Sequence, residues 1–256
     1  MKISFILFLF VPVVFLICAC GGKGSGKKDL TTETEIVSSP DTGYTGIKKY
    51  YSKQLLIKEI TFKNGIRHGE MKSYYQGGQL YQTLWYENGL REDSAKWYYL
   101  EGQVFRATPY KHDTIDGTQK QYYRNGRVKA KLTYIKGLRT PSLEEYDQKG
   151  KLVSVYPEIV ASIRDDYSTK GSVRINLELS NNATKVKFYR GDFINGVFDT
   201  ARVTMLKTTT GKAFLDLKKI GSPQSEYVGV IAEILTSFGN IYLACKKVDL
   251  PYKDLK

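Results

Sequence analysis

The chain has 256 residues, of which 41% are hydrophobic and 13% aromatic, so it can bury a core without disulfide staples. Lysine and arginine outnumber the acidic residues by 39 to 26. The resulting net charge of +13 favours anionic partners such as nucleic acid, lipid head groups, anionic glycans or acidic proteins. Three cysteines exclude a disulfide-rich scaffold, and 20 tyrosines among 23 glycines favour sheets over helices.

Residues 1–19 have the composition of a secretion signal. Lys2 supplies the charged start, and an apolar run extends from Ile3 to Ile17. This run is shorter than the roughly 20 apolar residues of a membrane-spanning helix, and a glycine pair follows soon after it. We therefore expect the segment to be cleaved from the mature protein as a signal peptide.

The end of this signal resembles a bacterial lipobox, Ile17-Cys18-Ala19-Cys20. Because the small Ala19 precedes Cys20, the resemblance implies that Cys20 is lipidated and anchors the protein to a membrane. Gly21, in place of an aspartate, implies the outer membrane of a Gram-negative bacterium, and the lack of a following acidic run favours the periplasmic side. The alternatives are a cleaved signal without lipid and an uncleaved anchor.

Residues 20–43 are predicted to be a flexible tether, because their glycine, lysine, serine, threonine and glutamate cannot form a core. The stretch from Gly21 to Lys27 superficially matches a phosphate-binding loop. No strand precedes it, and Lys28 occupies the position where serine or threonine is needed. We therefore expect no nucleotide and no other cofactor at this segment.

A 24-residue period runs through residues 44–157. Paired tyrosines, glycines and aliphatic residues recur in one register, with Asn-Gly dipeptides of the kind that form tight hairpins. The leading tyrosines of the units are Tyr50, Tyr74, Tyr98, Tyr122 and Tyr146. Each unit is predicted to be one β-hairpin, and the units must stack sideways because a lone hairpin is unstable in water. The chain is thus predicted to be all-β, with an elongated antiparallel β-hairpin repeat sheet.

Alternation along the strands predicts two different faces for this sheet. Aliphatic and aromatic residues of one parity are expected on the packed face: Leu80, Leu84, Tyr86, Val104, Tyr110, Val128, Ala130, Leu132 and Tyr134. A separate column follows the turn positions and is expected to be exposed loop charge: Arg67, Arg91 and Arg139.

A column of lysines occupies the other strand of each unit, two residues before the leading tyrosine. These lysines and tyrosines form the candidate binding site: Lys48, Lys72, Lys96, Lys120, Tyr50, Tyr74, Tyr98 and Tyr122. Equivalent strands lie two apart, so the lysines should recur about every 10 Å on one face. Such a ladder is suited to an anionic polymer or to the acidic face of a protein. The alternative is that the lysines only keep an exposed strand soluble.

Motifs in the second unit resemble the MORN-type repeat of the YwqK antitoxin family: Asn64-Gly65-Ile66-Arg67-His68-Gly69-Glu70, Tyr74-Tyr75 and Gly78-Gln79-Leu80. The resemblance covers residues 48–156 and departs from the pattern around Asp113 and Pro141. It implies hairpin arrays without a catalytic site. It also implies, for some members, a role as antitoxin or immunity partner of a secreted toxin, while many members are lipoproteins.

Residues 158–170 are polar and are predicted to be a linker, and residues 171–256 a second domain. In that domain the apolar residues alternate without the 24-residue period, and about seven short strands predict an immunoglobulin-like β-sandwich. Cys245 has no partner for a disulfide in this part of the chain. Its alternating neighbours Ile241 and Leu243 predict a buried, inert thiol.

Catalysis has little support in the sequence. The two histidines, His68 and His112, fall at unrelated positions of the repeat, and no serine or cysteine nucleophile is placed beside them. The same scarcity argues against a metal site, and a secreted chain is not expected to meet nucleic acid.

The sequence therefore favours a non-enzymatic, lipid-anchored envelope protein whose repeat sheet binds a protein partner, as an antitoxin or immunity protein binds a toxin. The alternative is a structural envelope protein that binds anionic polysaccharide or lipid. The oligomeric state is left open by these patterns.

Overall fold

A computed structural model describes residues 43–256, and the first ten strands of this part form one antiparallel sheet. The signal peptide, Cys20 and nearly all of the tether lie outside the described residues. The strands of this repeat sheet are β1 (Gly46–Ser52), β2 (Leu55–Lys63), β3 (Ile66–Tyr74), β4 (Leu80–Glu87), β5 (Leu90–Tyr98), β6 (Val104–Lys111), β7 (Thr114–Ile115), β8 (Gly117–Tyr122), β9 (Val128–Ile135) and β10 (Leu138–Glu145). They pair in chain order, with the short β7 beside β6. The predicted hairpin array is confirmed.

The turns follow the glycine columns for a conformational reason. At one end of the sheet, two-residue turns such as Asn64-Gly65 and Asn88-Gly89 have positive φ at both residues, as type I′ hairpins require. His112-Asp113 forms the same turn with φ of 49° and 65°, although neither residue is glycine. The departure from the repeat pattern at Asp113 therefore leaves the hairpin intact.

Neighbouring units are also joined through these turns. The amide of Gly89 donates to the carbonyl of Arg67 at 2.8 Å, and the amide of Asp113 donates to the carbonyl of Arg91 at 3.0 Å. Gly137 donates in the same way to Ile115 at 2.8 Å. The period is thus visible in the backbone hydrogen bonds as well as in the sequence.

A β-bulge in each unit divides the predicted packed face. Register shifts occur where Tyr74 pairs with Leu80, where Tyr98 pairs with Val104, and where Tyr122 pairs with Val128. The extra residue exchanges the faces on its two sides. Leu80, Val104 and Val128 therefore share the face of the leading tyrosines, whereas Leu84, Tyr86, Ala130, Leu132 and Tyr134 lie on the opposite face. The predicted single apolar face is wrong in this respect.

The second part of the molecule consists of two four-stranded sheets. One sheet has the order β11-β12-β16-β15, and the other has the order β14-β13-β17-β18. The strands are β11 (Ile159–Asp166), β12 (Ser172–Leu179), β13 (Val186–Arg190), β14 (Thr204–Met205), β15 (Thr208–Thr209), β16 (Lys212–Lys218), β17 (Tyr227–Leu235) and β18 (Ile241–Asp249), with helix α1 (Tyr167–Lys170) after β11.

The inner faces of these two sheets share one core. Ile175 of one sheet and Phe188 and Val230 of the other are fully buried in the same hydrophobic cluster. Alternation explains this burial, because β12 and β16 point every second side chain inward. The predicted β-sandwich is confirmed.

The polar segment 158–170 is not a linker. Residues Ile159–Asp166 form strand β11, which pairs with β12 over its whole length, and α1 follows. Ile159 is 4% exposed, but β11 is an edge strand whose other face carries Ser162 and Arg164. An edge strand with so few buried residues is hard to distinguish from a linker by composition.

Cys245 is exposed, contrary to the prediction from its neighbours. Leu243 is buried in a small cluster on the outer face of its sheet, together with Phe198 and Tyr189. Cys245 follows two residues along the same strand and has no such cover, so equal parity does not give equal burial.

The sandwich contacts the end of the repeat sheet through polar residues. Glu145 of β10 is fully buried and accepts hydrogen bonds from Thr236 at 2.8 Å, Asn240 at 2.7 Å and Tyr156 at 3.3 Å. Gln121 donates to Asn240 at 2.8 Å. Both Gln121 and Glu145 lie on one face of the repeat sheet, which we call the sandwich-side face.

Candidate binding face

A row of mostly charged residues crosses the opposite face of the repeat sheet, at the same level of every long strand. We call it the lysine row, and its members in spatial order are Lys49, Glu59, Lys72, Thr83, Lys96, Ala107, Lys120, Lys131 and Glu144. Each is a direct cross-strand neighbour of the next, so all of the side chains leave the sheet on one side. We call this side the lysine face.

The structure brings together three of the four predicted lysines. Lys72, Lys96 and Lys120 belong to the row, whereas Lys48 pairs with Ile60 on the sandwich-side face. There its ammonium group lies 4.8 Å from the ring centre of Tyr44 and 5.4 Å from that of Phe62. The prediction that Lys48 shares one face with the other three lysines is wrong.

A change of turn causes this exchange. The glycine of the other units is replaced by Gln54, and the chain turns through Lys53 and Gln54 with φ of 46° and 65°. This shorter turn pairs Ser52 with Leu55 and moves β1 by one residue relative to the repeat. A shift of one residue transfers every side chain of a strand to the other face. Tyr50 therefore lies on the sandwich-side face with Lys48, and Lys49 takes the position in the row that the period predicts for Lys48.

Acidic neighbours compensate both ends of the row. Lys49 lies 3.2 Å from Glu59, and Lys72 lies 3.0 Å from Glu70. At the other end Lys131 lies 2.8 Å from Glu144. These pairs are partly exposed, so each contributes little to stability. In each pair, however, the carboxylate neutralises the ammonium group of the lysine.

The centre of the row is different. Lys96 and Lys120 are both exposed, and within residues 43–256 neither forms an ion pair. Ala107 lies between them as the cross-strand neighbour of both. The two ammonium groups are therefore the uncompensated positive charges of the row.

The leading tyrosines accompany the lysines on the lysine face. Tyr74 donates its hydroxyl hydrogen bond to Glu59 at 2.6 Å, and the Tyr98 hydroxyl lies 3.3 Å from that of Thr83. Tyr122 occupies the equivalent position beside Lys120. Tyr50, carried by the shifted β1, is absent from this set.

The charges of this end perturb two side chains. Desolvation, together with the hydrogen bond to Glu59, raises the pKa of Tyr74 to about 12. The same hydrogen bond lowers the pKa of Glu59, and Lys49 and Lys72 add to this effect. Glu59 is therefore a firmly ionised carboxylate that belongs to the protein's own charge network.

The second tyrosine of three of the four pairs has a structural role that the sequence did not reveal. The hydroxyl of Tyr75 donates to the carbonyl oxygen of Tyr98 at 2.7 Å. Tyr99 donates in the same way to Tyr122 at 3.0 Å, and Tyr123 donates to Tyr146 at 2.7 Å. Each hydroxyl thus joins one unit to the next, which explains why tyrosine rather than phenylalanine recurs there.

The arginine column is not loop charge. The guanidinium carbon of Arg67 lies 4.7 Å from the ring centre of Tyr86, and that of Arg91 lies 4.3 Å from Tyr110. Arg91 also forms an ion pair with Asp113 at 2.8 Å. These arginines cover the aromatic column on the sandwich-side face, where they replace a second layer of protein.

The histidines serve turns. The backbone amide of Asn88 donates to Nδ1 of His68 at 3.4 Å. In the next unit Glu92 takes the place of His68 and accepts from the backbone amide of His112 at 2.9 Å. Among residues 43–256, no group of three or more His, Cys, Asp or Glu side chains is placed to hold a metal ion. No helix in that part of the chain is long and apolar enough to cross a membrane.

Sequence reasoning missed two lysines of the row. Lys49 enters the row only because β1 is shifted by one residue. Lys131 lies in the second strand of its unit, where the residues one and two periods earlier are Ala107 and Thr83, so no lysine column marks its position. The one available signal was Glu144, which interrupts the lysine column and pairs with Lys131.

Comparison with known families agrees with this architecture. The sequence pattern of the MORN repeat variant matches residues 67–88 and 115–136. These segments cover nearly all of the β3–β4 hairpin and the whole β8–β9 hairpin, so the chain carries MORN-type repeats. Comparison with curated proteins finds no matching relative.

Proposed function

Taking the chain as a MORN-type repeat protein, we propose that it is a non-enzymatic, lipid-anchored envelope protein whose lysine face binds an acidic protein partner. One observation carries the proposal: Lys96 and Lys120 are exposed at the centre of the row and form no ion pair among residues 43–256. Uncompensated charges of one sign attract and orient a partner of the opposite sign.

The position of the sandwich supports a free lysine face. The hydrogen bonds of Gln121 and Glu145 with the sandwich lie on the sandwich-side face. The lysine row is on the other side of the same strands. A partner can therefore approach the row without displacing the sandwich.

We propose that the partner is a toxin-like protein, which the chain neutralises as an immunity protein does. The resemblance to the YwqK antitoxin family motivates this part, and the MORN-type repeats are its coarser basis. Lipidation at Cys20 would hold the chain at the outer membrane, facing the periplasm. Mass spectrometry of the mature N-terminus tests the anchor, and an unmodified Cys20 would contradict it.

A second candidate is the binding of anionic polysaccharide or lipid. The even spacing of Lys72, Lys96 and Lys120, two strands or about 10 Å apart, favours a ligand with regularly repeated charges. A protein pair should be tight and one-to-one, whereas polymer binding should be weaker and steeply dependent on salt.

The test is charge reversal of the row in the full chain, with Lys72→Glu, Lys96→Glu and Lys120→Glu combined. Calorimetry would measure binding to the product of an adjacent toxin-like gene, to poly-L-glutamate, to an anionic polysaccharide and to phosphatidylglycerol vesicles. We expect affinity for acidic protein to fall by about 100-fold.

The control combines Lys63→Glu, Lys207→Glu and Lys246→Glu. These exposed lysines lie away from the row and give the same change in net charge. If both triple variants weaken binding equally, the lysine row is not the site.

A further inference from the structure

We infer that the segment of the partner that contacts the lysine face is an acidic α-helix, lying across the strands with carboxylates seven residues apart. This inference rests on the proposed binding function and specifies its ligand. It follows from the spacing of the uncompensated pair, Lys96 and Lys120, and from the small residue between them.

The distance between the two lysines selects the kind of backbone. Lys96, Ala107 and Lys120 are successive cross-strand neighbours, so the two lysines leave the sheet about 10 Å apart. Residues i and i+7 of an α-helix lie on one face and are about 10.5 Å apart along its axis. In an extended peptide, side chains on one face recur about every 6.7 Å, so two such side chains are separated by about 7 or 13 Å. The helix spacing is the closest to that of the pair.

The residue between the lysines fits the same helix. Ala107 projects only a methyl group between two long side chains, so the surface is low between them. A residue at i+3 or i+4 of the helix lies above this point, on the same face as the two carboxylates. The rings of Tyr98 and Tyr122 follow beside the lysines on the same strands. We therefore expect an apolar side chain at i+3 or i+4.

The compensated lysines limit the length of the contact. Beyond Lys120 the next ammonium group is that of Lys131, which already lies 2.8 Å from Glu144. On the other side Lys72 already lies 3.0 Å from Glu70. Two positions of strong attraction are thus available, and they are spanned by about two turns of helix.

The test uses designed helical peptides and the full chain. The matched peptide carries glutamates at i and i+7 and leucine at i+4. The rotated peptide has the same composition but glutamates at i and i+5, which lie on different sides of the helix. Poly-L-glutamate is the unstructured acidic probe. Fluorescence anisotropy at low ionic strength would give the dissociation constants.

We expect the matched peptide to bind about tenfold more tightly than the rotated peptide, because only the matched peptide reaches both lysines. Lys96→Glu with Lys120→Glu should remove this advantage, whereas Lys207→Glu with Lys246→Glu should keep it. Ala107→Tyr should weaken the matched peptide while leaving poly-L-glutamate binding unchanged, because it fills the low point and retains both charges.

The outcomes separate this inference from the proposed function. Equal binding of both peptides, weakened in each case by reversal of Lys96 and Lys120, would reject the helix and keep the acidic partner. If every acidic probe binds the Lys96→Glu, Lys120→Glu variant as tightly as it binds the control variant, both the helix and the proposed binding function are rejected.

Discussion

The repeat sheet and the β-sandwich show two ways of stabilising strands. In the sandwich, two sheets face each other, and large side chains such as Phe188 and Ile175 are fully buried between them. In the repeat sheet, the most deeply buried hydrophobic residues are small, Ala95 at 1% and Ala130 at 0% exposure. The sandwich is therefore stabilised mainly by apolar burial, and the repeat sheet mainly by contacts between neighbouring strands.

These neighbour contacts recur from unit to unit. After the first unit, each unit joins the next through a tyrosine hydroxyl, as Tyr99 does with Tyr122, and neighbouring turns are joined through a backbone amide, as Gly89 is to Arg67. Arginines cover the aromatic column in place of a second sheet. A substitution that removes one contact between units should therefore lower the free energy of unfolding slightly, and a substitution in the sandwich core should lower it strongly.

The largest expected effect is that of Phe188→Ala in the sandwich core. Removing a fully buried phenylalanine leaves a cavity and should lower the free energy of unfolding by about 3–5 kcal/mol. Calorimetry and circular dichroism would measure this loss. Tryptophan fluorescence would report the repeat sheet separately, because Trp85 and Trp97, the two tryptophans of the chain, both lie in it.

The matched control is Phe214→Ala, which removes the same side chain from a position that is 48% exposed. We expect a loss below about 1 kcal/mol there. If both variants lose the same amount, the contrast between the two regions is incorrect. If the fluorescence transition moves with that of the sandwich, the two regions unfold together.

A smaller effect is expected from Tyr99→Phe, which removes one inter-unit hydrogen bond and keeps the ring. The carbonyl of Tyr122 loses a donor, so the free energy of unfolding should fall by about 0.5–1.5 kcal/mol. Denaturant unfolding followed by tryptophan fluorescence measures it.

Tyr51→Phe is the control, because Tyr51 matches Tyr99 in the sequence period but lies on the shifted strand, where it is 60% exposed. No hydrogen bond of its hydroxyl occurs within residues 43–256. We expect no measurable change there, and a loss equal to that of Tyr99→Phe would contradict a structural role for the tyrosine column.

A separate effect concerns alkaline pH and Tyr74. Its hydroxyl stays protonated in the folded state up to a pKa of about 12, whereas in the unfolded chain it ionises near its ordinary value of 10.0. Folding thus holds a proton that unfolding releases, and stability should fall as the pH rises from 10 to 12.

Tyr74→Phe should be less sensitive to pH in this range than the unaltered chain. Unfolding free energies measured for both proteins across the range isolate Tyr74 from the other tyrosines. Identical slopes for the two proteins would show that the pKa of Tyr74 is not raised by folding.

The 24-residue period is sufficient to predict the hairpin array and its turns, and the alternation of apolar residues predicts the sandwich. Glycine and asparagine mark positions that need positive φ, and alternating apolar residues mark buried strands, so both signals are local. The same period placed Lys72, Lys96 and Lys120 in one row. Strand β11 was missed because it is an edge strand with few buried residues.

The faces could not be derived from parity alone. A bulge opposite Tyr74, Tyr98 and Tyr122 exchanges the faces within each second strand, and its position depends on cross-strand hydrogen bonds. The sequence pattern also did not reveal which lysines form ion pairs. Lys131 and Glu144 lie on different strands and come together only because β9 pairs with β10. Cys245 shows that burial also depends on what covers a strand.

The one-residue shift of β1 has a consequence for how this array can grow. A further hairpin added before β1 would continue from a strand with exchanged faces, and its lysine would point to the side that the sandwich contacts. A unit duplicated between β3 and β9 would instead keep the register of the row. Internal duplication would therefore extend the lysine row in its present register.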